Sequence, residues 1–124
     1  MSLLTVAATQ MACSWDADEN IARGERLVRD AAARGAKLIL LQELFETPYF
    51  CKDVDYRYMD LAVPIAQNKA VNHFKAVAKE LGVVLPISVY ERTNNALYNS
   101  LAMIDADGST RGVYRKSHIP DGPG

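Results

Sequence analysis

Read for alternation of apolar and polar positions, the chain opens at residues 4–11 with a mixed apolar and Thr/Gln segment, the pattern of a short strand. Cys13-Ser14-Trp15 leads out of it, and Asp16-Ala17-Asp18-Glu19 has the form of a capping box, in which Asp16 satisfies orphan amides and Glu19 reaches back. Ile21, Leu27, Val28, Ala31 and Ala32 then recur at helical spacing, Arg23, Arg26, Arg29 and Arg34 fall mostly elsewhere, and Gly35 supplies a stop. Residues 37–42 follow as an apolar strand, Leu38-Ile39-Leu40-Leu41, that runs into Gln42-Glu43. Four consecutive apolar residues predict a buried strand, and strand, helix, strand in this order predicts a parallel, right-handed βαβ unit. Open α/β sheets place ligands at the carboxyl ends of their strands, which is where Glu43 falls. On position alone Glu43 and Glu46 read as ordinary solvated residues past a strand end, as most strand-end carboxylates are.

Residues 47–60 lose periodicity and carry Pro48 with Tyr49, Phe50, Tyr56 and Tyr58, just after Phe45; a loop this aromatic is expected to pack over a site or an interface. The next apolar face, Val71, Phe74, Ala78 and Leu81, predicts a helix over 68–81 stopped by Gly82. His73 lies beside that face and is expected to be structural. Residues 83–91 read as a strand in which Pro86 points to an edge or a bulge. The turn cluster Arg92-Thr93-Asn94-Asn95, a strand over 97–105, the hairpin signal Asp107-Gly108 and a strand over 110–116 complete an antiparallel meander. The closing residues 117–124 are turn chemistry that ordinarily hands the chain to another element. Two helices and these strands would leave one sheet face or edge uncovered, so residues 1–124 are expected to be the N-terminal portion of a single larger domain.

Composition narrows the classes. A chain of 124 residues with 49% hydrophobic and 23% charged content fits one soluble globular domain. Its net charge of -1 comes from 14 basic and 15 acidic residues with no long block of either sign, which argues against nucleic acid or an anionic membrane as partner. The apolar opening lacks a basic leader and reads as a first strand rather than a signal peptide, and no run reaches membrane-spanning length. Cys13 and Cys51 have neither metal nor disulfide spacing, so free thiols in a cytoplasmic protein are expected. His73 and His118 have no partners at ligand spacing, and neither a metal nor an organic cofactor is expected. The first strand is followed by no Gly-rich phosphate loop, which disfavours nucleotide binding.

Two blocks carry chemistry. The segments Gln42-Glu43-Leu44-Phe45-Glu46-Thr47-Pro48-Tyr49-Phe50 and Tyr114-Arg115-Lys116-Ser117-His118-Ile119-Pro120-Asp121-Gly122 resemble the glutamate and lysine signatures of the nitrilase (carbon-nitrogen hydrolase) superfamily. Val6-Ala7-Ala8-Thr9-Gln10-Met11 and Leu97-Tyr98-Asn99-Ser100 come in that superfamily's order, so the resemblance covers essentially the whole chain. It implies an α/β fold, a four-layer αββα sandwich of which this chain supplies the first part, and a homo-oligomer. It also implies a Glu-Lys-Cys catalytic set acting on a small carbamoyl amine. Glu43 matches the general base and Lys116 the cation that stabilises a tetrahedral intermediate, while the nucleophilic cysteine and a supporting glutamate belong beyond Gly124. Neither Cys13 nor Cys51 occupies the nucleophile's position.

The residue types suit the reaction. A ureido carbonyl is a poor electrophile, so a thiolate helps. A carboxylate can take the thiol proton and return one to the leaving ammonia or amine, and an ammonium favours charge that exists only in the transition state. For N-carbamoylputrescine, whose far end is cationic, Tyr49 and Asp121 are the candidate substrate contacts. N-carbamoyl-β-alanine would need an arginine instead. Arg115, adjacent to Lys116 in a strand, is expected to point the other way. The competing readings are another amidase of the superfamily, or a non-catalytic fragment or assembly module.

Overall fold

The computed structural model describes residues 3–48, 61–94 and 96–116. Its first unit is the expected parallel one: β1 (Val6–Ala8) pairs in register with β2 (Leu38–Leu40), and α1 (Ala17–Ala33) makes the crossover. Asp16 caps α1 by accepting from the Glu19 amide at 3.2 Å. The expected return leg of the capping box is not made. Ser14 takes it over, its hydroxyl accepting from the Asp16 amide at 3.2 Å, while Glu19 pairs with Arg23. Gly35 ends the helix with φ +96°, in the left-handed region that favours glycine.

Both strands are shorter than residues 4–11 and 37–42, and β2 is not buried on both faces. Ile39 is fully buried, but Leu40 is 43% exposed. The reason is that α1 and α2 cover only one side of the sheet.

α2 (Lys69–Leu81) follows a 3-10 turn at Ile65–Gln67 and begins where the sequence places it, with Asn68 accepting from the Val71 amide at 2.8 Å. Gly82, at φ +67°, stops it. β3 (Leu85–Thr93), β4 (Ala96–Ile104) and β5 (Thr110–Arg115) form the expected antiparallel meander, with a register shift at Met103/Ile104. A parallel bridge between Leu38 and Val84 joins β2 to the start of this meander: the Ile39 amide donates to Val84 O at 3.0 Å, and the Val84 amide to Lys37 O at 2.8 Å.

Pro86 finds a place without a bulge. The main-chain groups of Val84, Tyr90 and Arg92 that bond β2 and Val63 lie on the edge of β3 away from β4. By alternation Pro86 presents its nitrogen to that same edge, between the two bridges, so its missing donor deprives no ladder.

Alternation also sorts the faces. Leu85, Ile87 and Val89 of β3 share one side with Ala102 and Ile104 of β4, and this side packs with Val71, Phe74 and Ala78 of α2 and Ile21 and Val28 of α1. Gly24 lets the layers close: a Cβ there would sit 3.3 Å from the Phe74 ring and 3.5 Å from Leu41. At the helix rim His73 bonds Glu25, which also accepts from Arg29 Nε at 2.8 Å, so His73 ties α2 to α1 as a structural residue. The other sheet face carries Ser88, Asn99, Leu101, Met103, Tyr114 and Lys116.

Candidate active site

Glu43 is aimed by its neighbours. Past β2, Leu41 is buried, and the Gln42 side chain bridges to the first strand's exit by accepting from the Met11 amide at 2.8 Å and donating to Cys13 Sγ at 3.2 Å. Leu44 then adopts φ +50°, an uncommon conformation for a branched, buried residue. The turn is held there: the Leu44 amide donates to Ser88 Oγ at 3.0 Å, and Phe45 drops into the core with its ring edge-on to Phe74, 5.7 Å between centroids. On the far side Asn20, fully buried, donates to Glu46 O at 2.8 Å and to Ser14 O at 2.6 Å, and Asn68 donates to Glu46 Oε1 at 2.9 Å. Burial pushes the Glu46 carboxyl above its ordinary range, against the Asn68 hydrogen bond and the Lys69 charge. Glu46 is therefore an anchor of the turn, and Glu43 is left pointing to the uncovered face.

Lys116 reaches the same place from the end of β5. Its amide donates to Asn99 O at 2.9 Å, and its Nζ donates to Glu43 Oε1 at 3.3 Å. The Asn99 side-chain amide donates to that same Oε1. Two groups 73 positions apart in sequence thus share one cleft of about 430 Å³, lined also by Leu40, Ser88, Leu101 and Tyr114. The Glu43 and Lys116 side chains are 43% and 42% exposed, and a pair this solvated contributes no more than about 1 kcal/mol to folding, so stability does not account for it.

Arg115 points to the opposite face, as alternation requires. It grips Glu91, only 3% exposed, with two bonds of 2.8 Å, stands over the Tyr98 ring at 5.1 Å, and shares Glu91 with the Ser100 hydroxyl at 2.7 Å. This clamp fixes the strand that carries Lys116. The Arg115 hydrogen bonds hold the Glu91 carboxyl below its ordinary range, despite burial. A carboxyl held low stabilises the fold above its unfolded value near pH 4 and stops doing so as the pH falls through the folded one. Glu91→Gln is therefore expected to lose about 1–3 kcal/mol at pH 7. Urea unfolding at pH 7 and pH 3 should show that deficit shrinking in acid; a deficit equal at both would exclude the ion pair as its source.

Cys13 does not line the cleft; its thiol is pushed up by burial, the Arg23 charge opposing, which makes it a poor thiolate. Tyr49, Cys51, His118 and Asp121, and most of the aromatic loop, lie outside the described residues. Among the described residues no three His, Cys, Asp or Glu side chains gather as a metal site, and no helix is long and apolar enough to cross a membrane. Sequence reading missed Asn20, Ser88, Asn99 and Glu91. The available signal was a polar side chain within an otherwise apolar strand or helix face, which must find a partner once buried.

A strand-end carboxylate and a lysine from the meander, brought together on one sheet face, is the arrangement the two sequence blocks implied, and the chain belongs to the carbon-nitrogen hydrolase family, which it matches over residues 5–124. Among curated proteins it is 53% identical over 122 residues to the N-carbamoylputrescine amidase of Solanum tuberosum, covering 98% of this chain and 41% of that one. It is 48% identical over 124 residues to the citrullinase of Francisella tularensis subsp. tularensis, covering 100% of this chain and 43% of that one. The carbon-nitrogen hydrolase from Helicobacter pylori has the same α/β fold, with a TM-score of 0.86 at 30% identity over 95% of this chain and 41% of that one. The chain thus spans well under half the length of these relatives.

Proposed function

We propose that residues 1–124 are the N-terminal portion of a single thiol amidohydrolase domain that cleaves a carbamoyl C–N bond, with N-carbamoylputrescine as substrate and putrescine, carbon dioxide and ammonia as products. The observation that carries this reading is the meeting of Glu43 Oε1 and Lys116 Nζ at 3.3 Å in an open cleft. The substrates named for the two curated relatives are both ureido compounds, which supports the bond class.

In this reading Glu43 takes the proton of a cysteine thiol supplied by residues beyond Gly124, passes it to the departing nitrogen, and then activates the hydrolytic water. Lys116 faces the carbonyl oxygen as it becomes an oxyanion. Tyr49 and Asp121 receive the cationic end of the substrate. The enzyme needs no metal or organic cofactor, works in the cytoplasm in polyamine synthesis, and assembles as a homo-oligomer.

An ammonia-release assay on the complete protein tests the assignment. N-carbamoylputrescine is expected to give a kcat/KM at least tenfold above N-carbamoyl-β-alanine or citrulline, whose carboxylates would meet Asp121. Preference for either rival would overturn the substrate. Residues 1–124 purified alone are expected to give no turnover; activity lost on Cys13→Ala or Cys51→Ala would show the nucleophile to be wrongly placed.

A further inference from the structure

The buried asparagines of this fold divide by what they hold. Asn20 and Asn68 lock local backbone: Asn20 bonds the Ser14 amide and carbonyl and the Glu46 carbonyl, and Asn68 caps α2 and reaches the anchoring Glu46. Asn99 is equally enclosed, at 5% exposure, yet among the described residues its side chain bonds a carboxylate and no backbone group. It gives its amide to the half-exposed Glu43, in the cleft, while its own carbonyl accepts from the Lys116 amide at 2.9 Å. A buried amide needs partners, but this one is matched to the carboxylate of the reactive pair through its side chain and to the main chain of the lysine through its own main chain.

We propose that Asn99 is the positioning residue of the Glu43–Lys116 pair, setting through one rigid strand position both the direction of the carboxylate and the point from which the lysine side chain departs. The inference rests on the amidohydrolase reading and deepens it. A free glutamate side chain after a turn samples several rotamers, and fixing one loses conformational freedom that must be met by a contact. With Oε1 fixed by the amide and by Lys116 Nζ, the carboxylate presents its other oxygen in one direction, the condition for moving a proton along a single line. The neighbours explain why the position is stable: Tyr90 opposes Asn99 across β3 and β4, and Ser100, next in the strand, is tied to Glu91 on the opposite face.

The test has two arms. In the complete protein Asn99→Ala is expected to lower kcat about 10²-fold with KM changed less than twofold, since substrate contacts stay in place. In a Glu43→Gln background the same substitution should change residual kcat less than twofold, because its effect passes through the carboxylate. A loss confined to KM, a wild-type kcat, or an undiminished loss in the Glu43→Gln background would overturn the proposal.

The second arm leaves Asn99 in place. Its side-chain amide protons, followed by nitrogen-15 NMR, should exchange with solvent at least tenfold faster in Glu43→Ala than in the unsubstituted protein; unchanged exchange would overturn the proposal even where Asn99→Ala fails to fold. If the exchange responds as expected while the unsubstituted protein hydrolyses no ureido compound, the amidohydrolase reading falls and the placement of Glu43 by Asn99 stands.

Discussion

Glu43→Gln in the complete protein is expected to lower ammonia release from N-carbamoylputrescine about 10³-fold, and Lys116→Ala about 10²-fold or more, with thermal midpoints within a few degrees of the unsubstituted protein. The first figure follows from removing a group that moves a proton at more than one step, the second from removing a charge aimed at a developing oxyanion. The midpoints hold because the pair is solvated on both sides and contributes little to folding. Glutamine keeps the size of Glu43 and can still accept from Asn99, so a surviving rate would isolate proton transfer as dispensable. Steady-state kinetics and calorimetry on the same preparations decide it: either variant retaining more than a tenth of the activity would exclude the role assigned to that residue.

The largest structural effect is expected at Phe45. Its ring is fully buried against Phe74, two residues past Glu43, and Phe45→Ala should destabilise the fold by about 3–5 kcal/mol through lost burial and the cavity left behind. That is a large share of the margin of an ordinary domain. Phe45→Leu, which fills most of the volume, should lose less than half as much. Denaturant unfolding measures both. If alanine and leucine behaved alike, the ring would not be the anchor that pulls the turn at Leu44 into the core and leaves Glu43 facing outward.

Local rules account for how much of this was legible. The cap at Asp16, the stops at Gly35 and Gly82 and the hairpin at Asp107-Gly108 each act within a few residues, and the structure keeps them. Where the structure departs from the pattern, a group outside that pattern had intervened. Ser14 displaced Glu19 from the capping box. Leu40, part of an apolar run that promised burial on both sides, faces the cleft because the helices cover the other side.

For the site, the two motif blocks singled out Glu43 and Lys116, since residue type and flanking sequence are properties of the chain itself. That Oε1 and Nζ meet, that Asn99 joins them, and that Arg115 turns away to grip Glu91 were decided only when strands 85–93, 96–104 and 110–115 fell into register. Register is fixed by burying one sheet face beneath two helices, a condition summed over the whole core. Chemical character was therefore written locally, and the direction of each side chain was settled by packing elsewhere.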